Sequence, residues 1–171
     1  TGSFTISEGG MLTTSGKIRV HTVGEDILKH QSMLARIEEL EGQQCRMEMK
    51  NKDIYKEFRL RGYDYGPEFQ AVTHVRQVDR TISAKVIFKD WITFVDGMIQ
   101  LAVLGQPSRG LYLPVRFNTL RCDPTKLFPS EGDETVRELP VFFDGELNIG
   151  VAPGIEYQGI KANLAPRKVT Q

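Results

Sequence analysis

Asp96 and Gln100 stand four residues apart in a run that is otherwise almost entirely apolar, Trp91 to Gly105. If the run is a helix, positions i and i+4 share a face and the carboxyl and the amide are neighbours. An ionised carboxylate in dry surroundings is costly unless it is paired, hydrated or protonated, so burial raises its pKa. A carboxyl kept partly protonated near neutral pH can serve as a general acid, and the amide can orient it. A second reading stays open on these grounds: Asp96 caps the start of a buried helix and Gln100 faces a loop carbonyl. Gly97 costs about 1 kcal/mol relative to alanine in mid-helix, and one reason to tolerate it is close approach of a ligand or another backbone.

Other chemistry-bearing residues are sparse. His21, His30 and His74 are the only imidazoles and are read as solvent-facing or satisfied side chains rather than bases or ligands. Cys45 and Cys122 lie far apart without ligand spacing and read as reduced thiols of a cytosolic protein, with no metal expected. No nucleophile-elbow, Walker, dinucleotide-binding or metal signature occurs.

The elements that must position Asp96 follow from pattern. An all-round apolar helix is buried, and strands flank this one on both sides, so an α+β arrangement of an antiparallel sheet wrapped around a central helix is expected. The strands are expected at Ala71 to Arg80, Ile82 to Phe88, Leu111 to Arg121, Arg137 to Phe143, Glu146 to Val151 and Ile155 to Leu164. Asp144-Gly145 and Pro153-Gly154 join the last three as a meander. A shorter helix is expected after a cap at Asp53, with Ile54, Phe58 and Leu60 apolar and Gly62 as its stop. It runs into Tyr63-Asp64-Tyr65-Gly66-Pro67-Glu68-Phe69-Gln70, where Gly-Pro makes a rigid corner. Upstream, Phe4 to Ser7 and Met11 to Val20 read as a hairpin closed by Gly9-Gly10, and Glu25 to Glu41 as a connector helix stopped by Gly42. Pro124 to Glu134 reads as a surface loop.

The chain has 171 residues, 40% hydrophobic and 26% charged, with 22 Lys+Arg against 22 Asp+Glu. That size suits one globular domain or slightly more, and the apolar fraction disfavours disorder. Zero net charge offers no field for nucleic acid or anionic lipid, and no apolar stretch is long enough for a helical membrane span. The opening Thr1-Gly2-Ser3-Phe4 is neither a signal peptide nor a natural initiator, so the expectation is a piece of a longer chain.

Ile54 to Gln70 closely resembles the dehydratase region of animal-type multifunctional fatty acid synthase, whose Tyr-Gly-Pro-x-Phe core polyketide synthase dehydratases share. Asp96-x-x-x-Gln100 resembles the Asp-x-x-x-Gln/His motif of the same domains. Leu111 to Arg116 and Gly159 to Arg167 are similar to that family in the right order, and Phe4 to Ile18 resembles the last strands of the domain's first half. The resemblance implies a hot-dog fold that is the second half of a double hot dog. Residues 1–20 would be closing strands of the first hot dog, 21–50 a connector, 51–166 the second hot dog and 167–171 the start of an interdomain linker.

The implied activity is β-hydroxyacyl-[acyl carrier protein] dehydration, a lyase reaction giving a trans-enoyl thioester and water. Asp96 would be the acid and Gln100 its orienting partner, with Tyr65, Gly66 and Pro67 shaping the wall of the acyl tunnel. The family's histidine, in His-x-x-x-Gly-x-x-x-x-Pro, is missing, because none of the three histidines has glycine four residues on. It would lie upstream of Thr1, in a first hot dog, and the piece alone would be inactive. The substrate would ride on the phosphopantetheine of an acyl carrier protein in a cytoplasmic, homodimeric parent. Arg109 and Arg116 are read as solvated rather than as anchors of the pantetheine phosphate. NADPH would serve only other domains. Two alternatives remain, a non-catalytic acyl-binding or scaffolding pseudo-domain and a hot-dog thioesterase.

Overall fold

The computed structural model describes residues 1–20, 35–36, 38–40, 42–127 and 136–165. Most of the connector helix, His21, His30, most of the Pro124 to Glu134 loop and the 167–171 linker lie outside them.

Seven antiparallel strands form the main sheet in the order β3-β4-β5-β8-β9-β10-β7. They are β3 (Met47–Lys50), β4 (Val72–Val78), β5 (Thr81–Phe88), β7 (Thr119–Cys122), β8 (Arg137–Asp144), β9 (Ile149–Ala152) and β10 (Ile155–Gln158). Two smaller sheets are the hairpin β1 (Gly2–Glu8) with β2 (Met11–Ile18), and β6 (Tyr112–Arg116) with β11 (Lys161–Leu164). Among the described residues, the helices that concern the site are α1 (Asn51–Arg61) and α2 (Trp91–Leu104), followed by a single turn α3 (Pro124–Leu127).

The sheet wraps α2, which is the hot-dog arrangement expected from the sequence. Alternation explains the packing: Ile82, Ala84, Val86 and Phe88 of β5 are buried against α2, whose Phe94, Met98 and Leu101 are fully buried in the same core. Burial of each such side chain contributes roughly 1.5–3 kcal/mol. Gly97 sits where β5 comes closest, since a Cβ there would lie 2.7 Å from Val86 Cγ1. The close approach is that of a sheet side chain.

Several sequence expectations shift. The run Leu111 to Arg121 splits into β6 and β7, which belong to different sheets. Ile155 to Leu164 likewise breaks into β10 and β11 at Gly159, whose φ of +66° turns the chain. The middle strand of the meander starts later than expected, at Ile149, after a turn through Asn148. β3 falls inside the stretch expected to be connector and pairs with β4. α1 begins at Asn51 and not after Asp53; its N-cap is Lys50, without a side-chain cap, and Asp53 lies in the first turn. Leu60 is exposed, whereas Tyr55 joins Ile54 and Phe58 in the core. Gly62 ends α1 as expected, at φ 99°. α3 occupies the described start of the expected surface loop.

Candidate active site

The start of α2 is capped by Asp90, whose Oδ1 accepts the Ile92 and Thr93 N–H groups, each at 2.9 Å. Asp96 is therefore not the helix cap. It lies one and a half turns inside the helix, half-buried, at the edge of an open groove of about 1740 Å³ that Ile99 also lines. The groove runs between β2 of the hairpin and the β6, β7 and β10 strands, and exceeds an ordinary ligand pocket of roughly 300–1,000 Å³.

Gln100 is fully buried behind Asp96. Its Nε2 donates to Asp96 Oδ2 at 2.8 Å and to the Phe69 carbonyl at 2.9 Å. Both halves of the sequence reading of Gln100 thus hold together: it meets the carboxyl and also a loop carbonyl. Its Oε1 accepts from the Tyr55 hydroxyl at 2.7 Å, and that hydroxyl oxygen accepts the Val72 N–H at 3.0 Å. The Tyr55 oxygen also lies 3.2 Å from the Phe69 carbonyl oxygen. Burial holds the Asp96 carboxyl above the ordinary carboxylate range, while the Gln100 bond pulls it down less strongly.

The loop between α1 and β4 is fastened on every side. The Tyr63 hydroxyl donates to the Tyr112 carbonyl and accepts the Tyr112 N–H, both at 2.6 Å, tying the loop to β6. Gln70 Nε2 donates to the Tyr65 carbonyl at 2.8 Å. Asn51 Nδ2 donates to the Gln70 and Val72 carbonyls at 3.1 and 2.9 Å. Tyr65 stacks on Tyr63 at 5.6 Å between ring centres and meets Phe58 edge-on at 5.1 Å. Its hydroxyl is pushed well above the usual phenol range, first by burial and then by the Asp96 charge, so the two groups share one neighbourhood.

The structure therefore brings Asp96, Gln100 and Tyr65 together. Gly66 and Pro67 are exposed; Pro67 opens a 3-10 turn through Phe69, and none of Tyr65, Gly66 and Pro67 lines the groove at Asp96. Arg109 is paired with Glu57 at 3.0 Å, while Arg116 is exposed on the groove wall. His74, on β4, is paired at 2.9 Å with Glu48 of the edge strand β3. No group of three or more metal-ligating side chains occurs among the described residues. Sequence reasoning missed Tyr55, Asn51 and the Phe69 carbonyl. Tyr55 had a signal, because a tyrosine on the buried face of a helix needs a partner for its hydroxyl. A backbone carbonyl has none.

Residues 37–90 match the family described as "PS-DH: Polyketide synthase dehydratase N-terminal domain". Among solved structures, the dehydratase domain from the CurF module of curacin polyketide synthase is 15% identical, with a TM-score of 0.53, over 89% of this chain and 56% of that one. Two inactive mutants of the CurK dehydratase, one with histidine replaced by phenylalanine and one with aspartate replaced by asparagine, are each 14% identical with TM-scores of 0.55. They are matched over 91% and 92% of this chain and 56% and 57% of theirs. The chain thus spans a little over half the length of those domains and shares their hot-dog fold.

Proposed function

We propose that this chain is the acid-bearing half of a β-hydroxyacyl thioester dehydratase, the second hot dog of a double hot dog in a fatty acid synthase of the animal type. The observation that carries the reading is Asp96: a half-buried carboxyl on the central helix, facing a groove, with its pKa raised by burial and one oxygen held by a fixed amide. The extended match of Ile54 to Gln70 supports the fatty acid synthase assignment over a polyketide synthase. The CurK mutants support a reaction in that family that needs both a histidine and an aspartate.

In this reading a histidine on a companion hot dog removes the α-proton. Asp96 gives its proton to the β-hydroxyl as the C–O bond breaks, and a trans-enoyl thioester and water leave. No electrons are exchanged with a cofactor, so NADPH belongs to other domains. The substrate arrives on the phosphopantetheine of an acyl carrier protein. A groove this wide and open fits a half-site awaiting the companion hot dog. Tyr65 borders the acid, with Gly66 and Pro67 holding the corner that presents it at the acyl tunnel. The parent would be a homodimeric cytoplasmic synthase.

The test is a product assay on a β-hydroxyacyl pantetheine thioester. The chain alone should give no enoyl product; in the complete synthase, Asp96→Asn should make β-hydroxyacyl intermediates accumulate. Dehydration by the isolated chain that Asp96→Asn abolishes would refute the need for a companion base. Release of free acid would identify a thioesterase instead, and an Asp96→Asn synthase of normal activity would leave only an acyl-binding or scaffolding role.

A further inference from the structure

The Asp96 side chain has two oxygens, and a proton donor must keep its proton on the one that faces substrate. Gln100 can settle which, provided that its amide cannot turn over. As placed, the NH2 group donates to Asp96 Oδ2 and to the Phe69 carbonyl, and Oε1 accepts from Tyr55. In the flipped orientation Oε1 would face two acceptors, the Phe69 carbonyl at 2.9 Å and Asp96 Oδ2 at 2.8 Å. Protonating Oδ2 would relieve the second contact but not the first. The Tyr55 hydroxyl adds the decisive direction, because its oxygen already accepts the Val72 N–H, leaving its proton for Gln100 at 2.7 Å in preference to Phe69 at 3.2 Å.

We propose that Tyr55 is a positioning residue for Asp96: by donating to Gln100 Oε1 it keeps the Gln100 NH2 on Asp96 Oδ2 in both protonation states, so that Oδ1 is the oxygen that carries the transferable proton. Oδ1–H gives its proton to the departing hydroxyl, and the charge left on the carboxylate is met at Oδ2 by an N–H already in place. No reorientation is needed during the step. Tyr55 does this from α1, an element that contributes no group to the groove. The consequence for turnover rests on the dehydratase reading; the orientation of the amide does not.

Other ionisable groups share the surroundings of Asp96 and must be kept constant. Tyr65 from the loop is held neutral, its hydroxyl pushed up mainly by burial. Lys17 of β2, Arg19 just after it, Arg116 of β6, Arg121 of β7, Asp123 and Lys126 at α3, and Glu156 of β10 line the same groove. None of these changes in the variants below.

The experiment is NMR on the labelled chain, following the Gln100 Nε2 protons and the Asp96 carboxyl carbon across pH. In the unsubstituted protein both amide protons should stay protected from exchange and keep the same neighbours as Asp96 titrates. Tyr55→Phe should move the Asp96 midpoint upward, in the same direction as Gln100→Leu, and the double variant should titrate like Gln100→Leu alone. An amide that turns over when Asp96 is protonated overturns the proposal, and this needs no variant to fold. So does a Tyr55→Phe midpoint equal to that of the unsubstituted chain, or additive shifts in the double variant. In the complete synthase, Tyr55→Phe should lower kcat about tenfold at unchanged KM and carry the alkaline limb of the pH profile upward. A synthase in which Asp96→Asn stays fully active would remove the dehydratase reading and leave the NMR result standing.

Discussion

Two aspartates six residues apart on one helix have opposite fates. Asp90 sits at the N-terminus of α2, exposed, and its carboxyl is held below the ordinary range chiefly by the Thr93 N–H and hydroxyl, with Ile92 N–H and Lys89 adding to the effect. Asp96 lies inside the helix, and burial drives its carboxyl upward against a single side-chain hydrogen bond. The residue type is the same, and one of them caps the helix that contains the other. What differs is the number of donors turned toward the carboxylate and the water lost around it, and this separates a helix cap from the carboxyl we propose as the proton donor.

The widest separation is expected in activity. In the complete synthase, Asp96→Asn should reduce kcat/KM for dehydration on the order of 10²–10⁴-fold, the usual share of a general acid. Asp90→Asn should leave it unchanged. Equal losses at the two positions, measured as enoyl thioester formed, would erase the distinction drawn between them. Gln100→Leu should come next, about tenfold down in kcat, because it removes the donor on Oδ2 but leaves the acid.

A smaller effect is structural and tests the wall behind Asp96. Gly97→Ala gains up to about 1 kcal/mol of helix propensity, yet its methyl would lie 2.7 Å from Val86 Cγ1 in a strand that cannot retreat freely. Overpacking of this kind costs roughly 1–3 kcal/mol. Chemical denaturation should therefore show a net loss, about 1 kcal/mol. A gain would mean that β5 yields and that α2 is held less tightly than its neighbours indicate.

The two aspartates also show what the sequence makes legible. Helical spacing and an apolar surround were enough to place Asp96 and Gln100 on one buried helix inside a sheet, because those signals are local. The same reasoning left Asp96 open as a cap, since cap geometry depends on where the helix begins; Asp90, one residue before Trp91, settles it. Strand ends failed where a break needs no proline or paired turn signal. β6 and β7 are separated only by Phe117 and Asn118, and β10 and β11 by Gly159 and Ile160. Tyr55 reaches Gln100 across 45 positions of sequence, a meeting that only the packing of α1 beside α2 produces. The Gly-Pro turn signal placed the corner at Gly66-Pro67, but not that both residues would stand at the surface.

The smallest expected effect is in stability against pH, and here the two residues should move in opposite directions. Asp90 has a lowered pKa, so its contribution is present above the ordinary carboxylate value of 3.8 and is lost as pH falls through its lower folded value. Asp90→Ala should lower the thermal midpoint by a few degrees near neutrality, with the difference shrinking in acid. Asp96 has a raised pKa, so the folded state binds its proton more tightly than the unfolded chain does. Its contribution is fully present below 3.8 and is lost as pH rises through the folded value. Asp96→Asn, which cannot ionise, should match the unsubstituted protein in acid and exceed it at neutral pH. Thermal melts of both variants across pH 3 to 8 read the two signs directly. If Asp96→Asn were the less stable protein at neutral pH, the carboxylate would be stabilising the helix like Asp90, and its place as the acid would fall with that result.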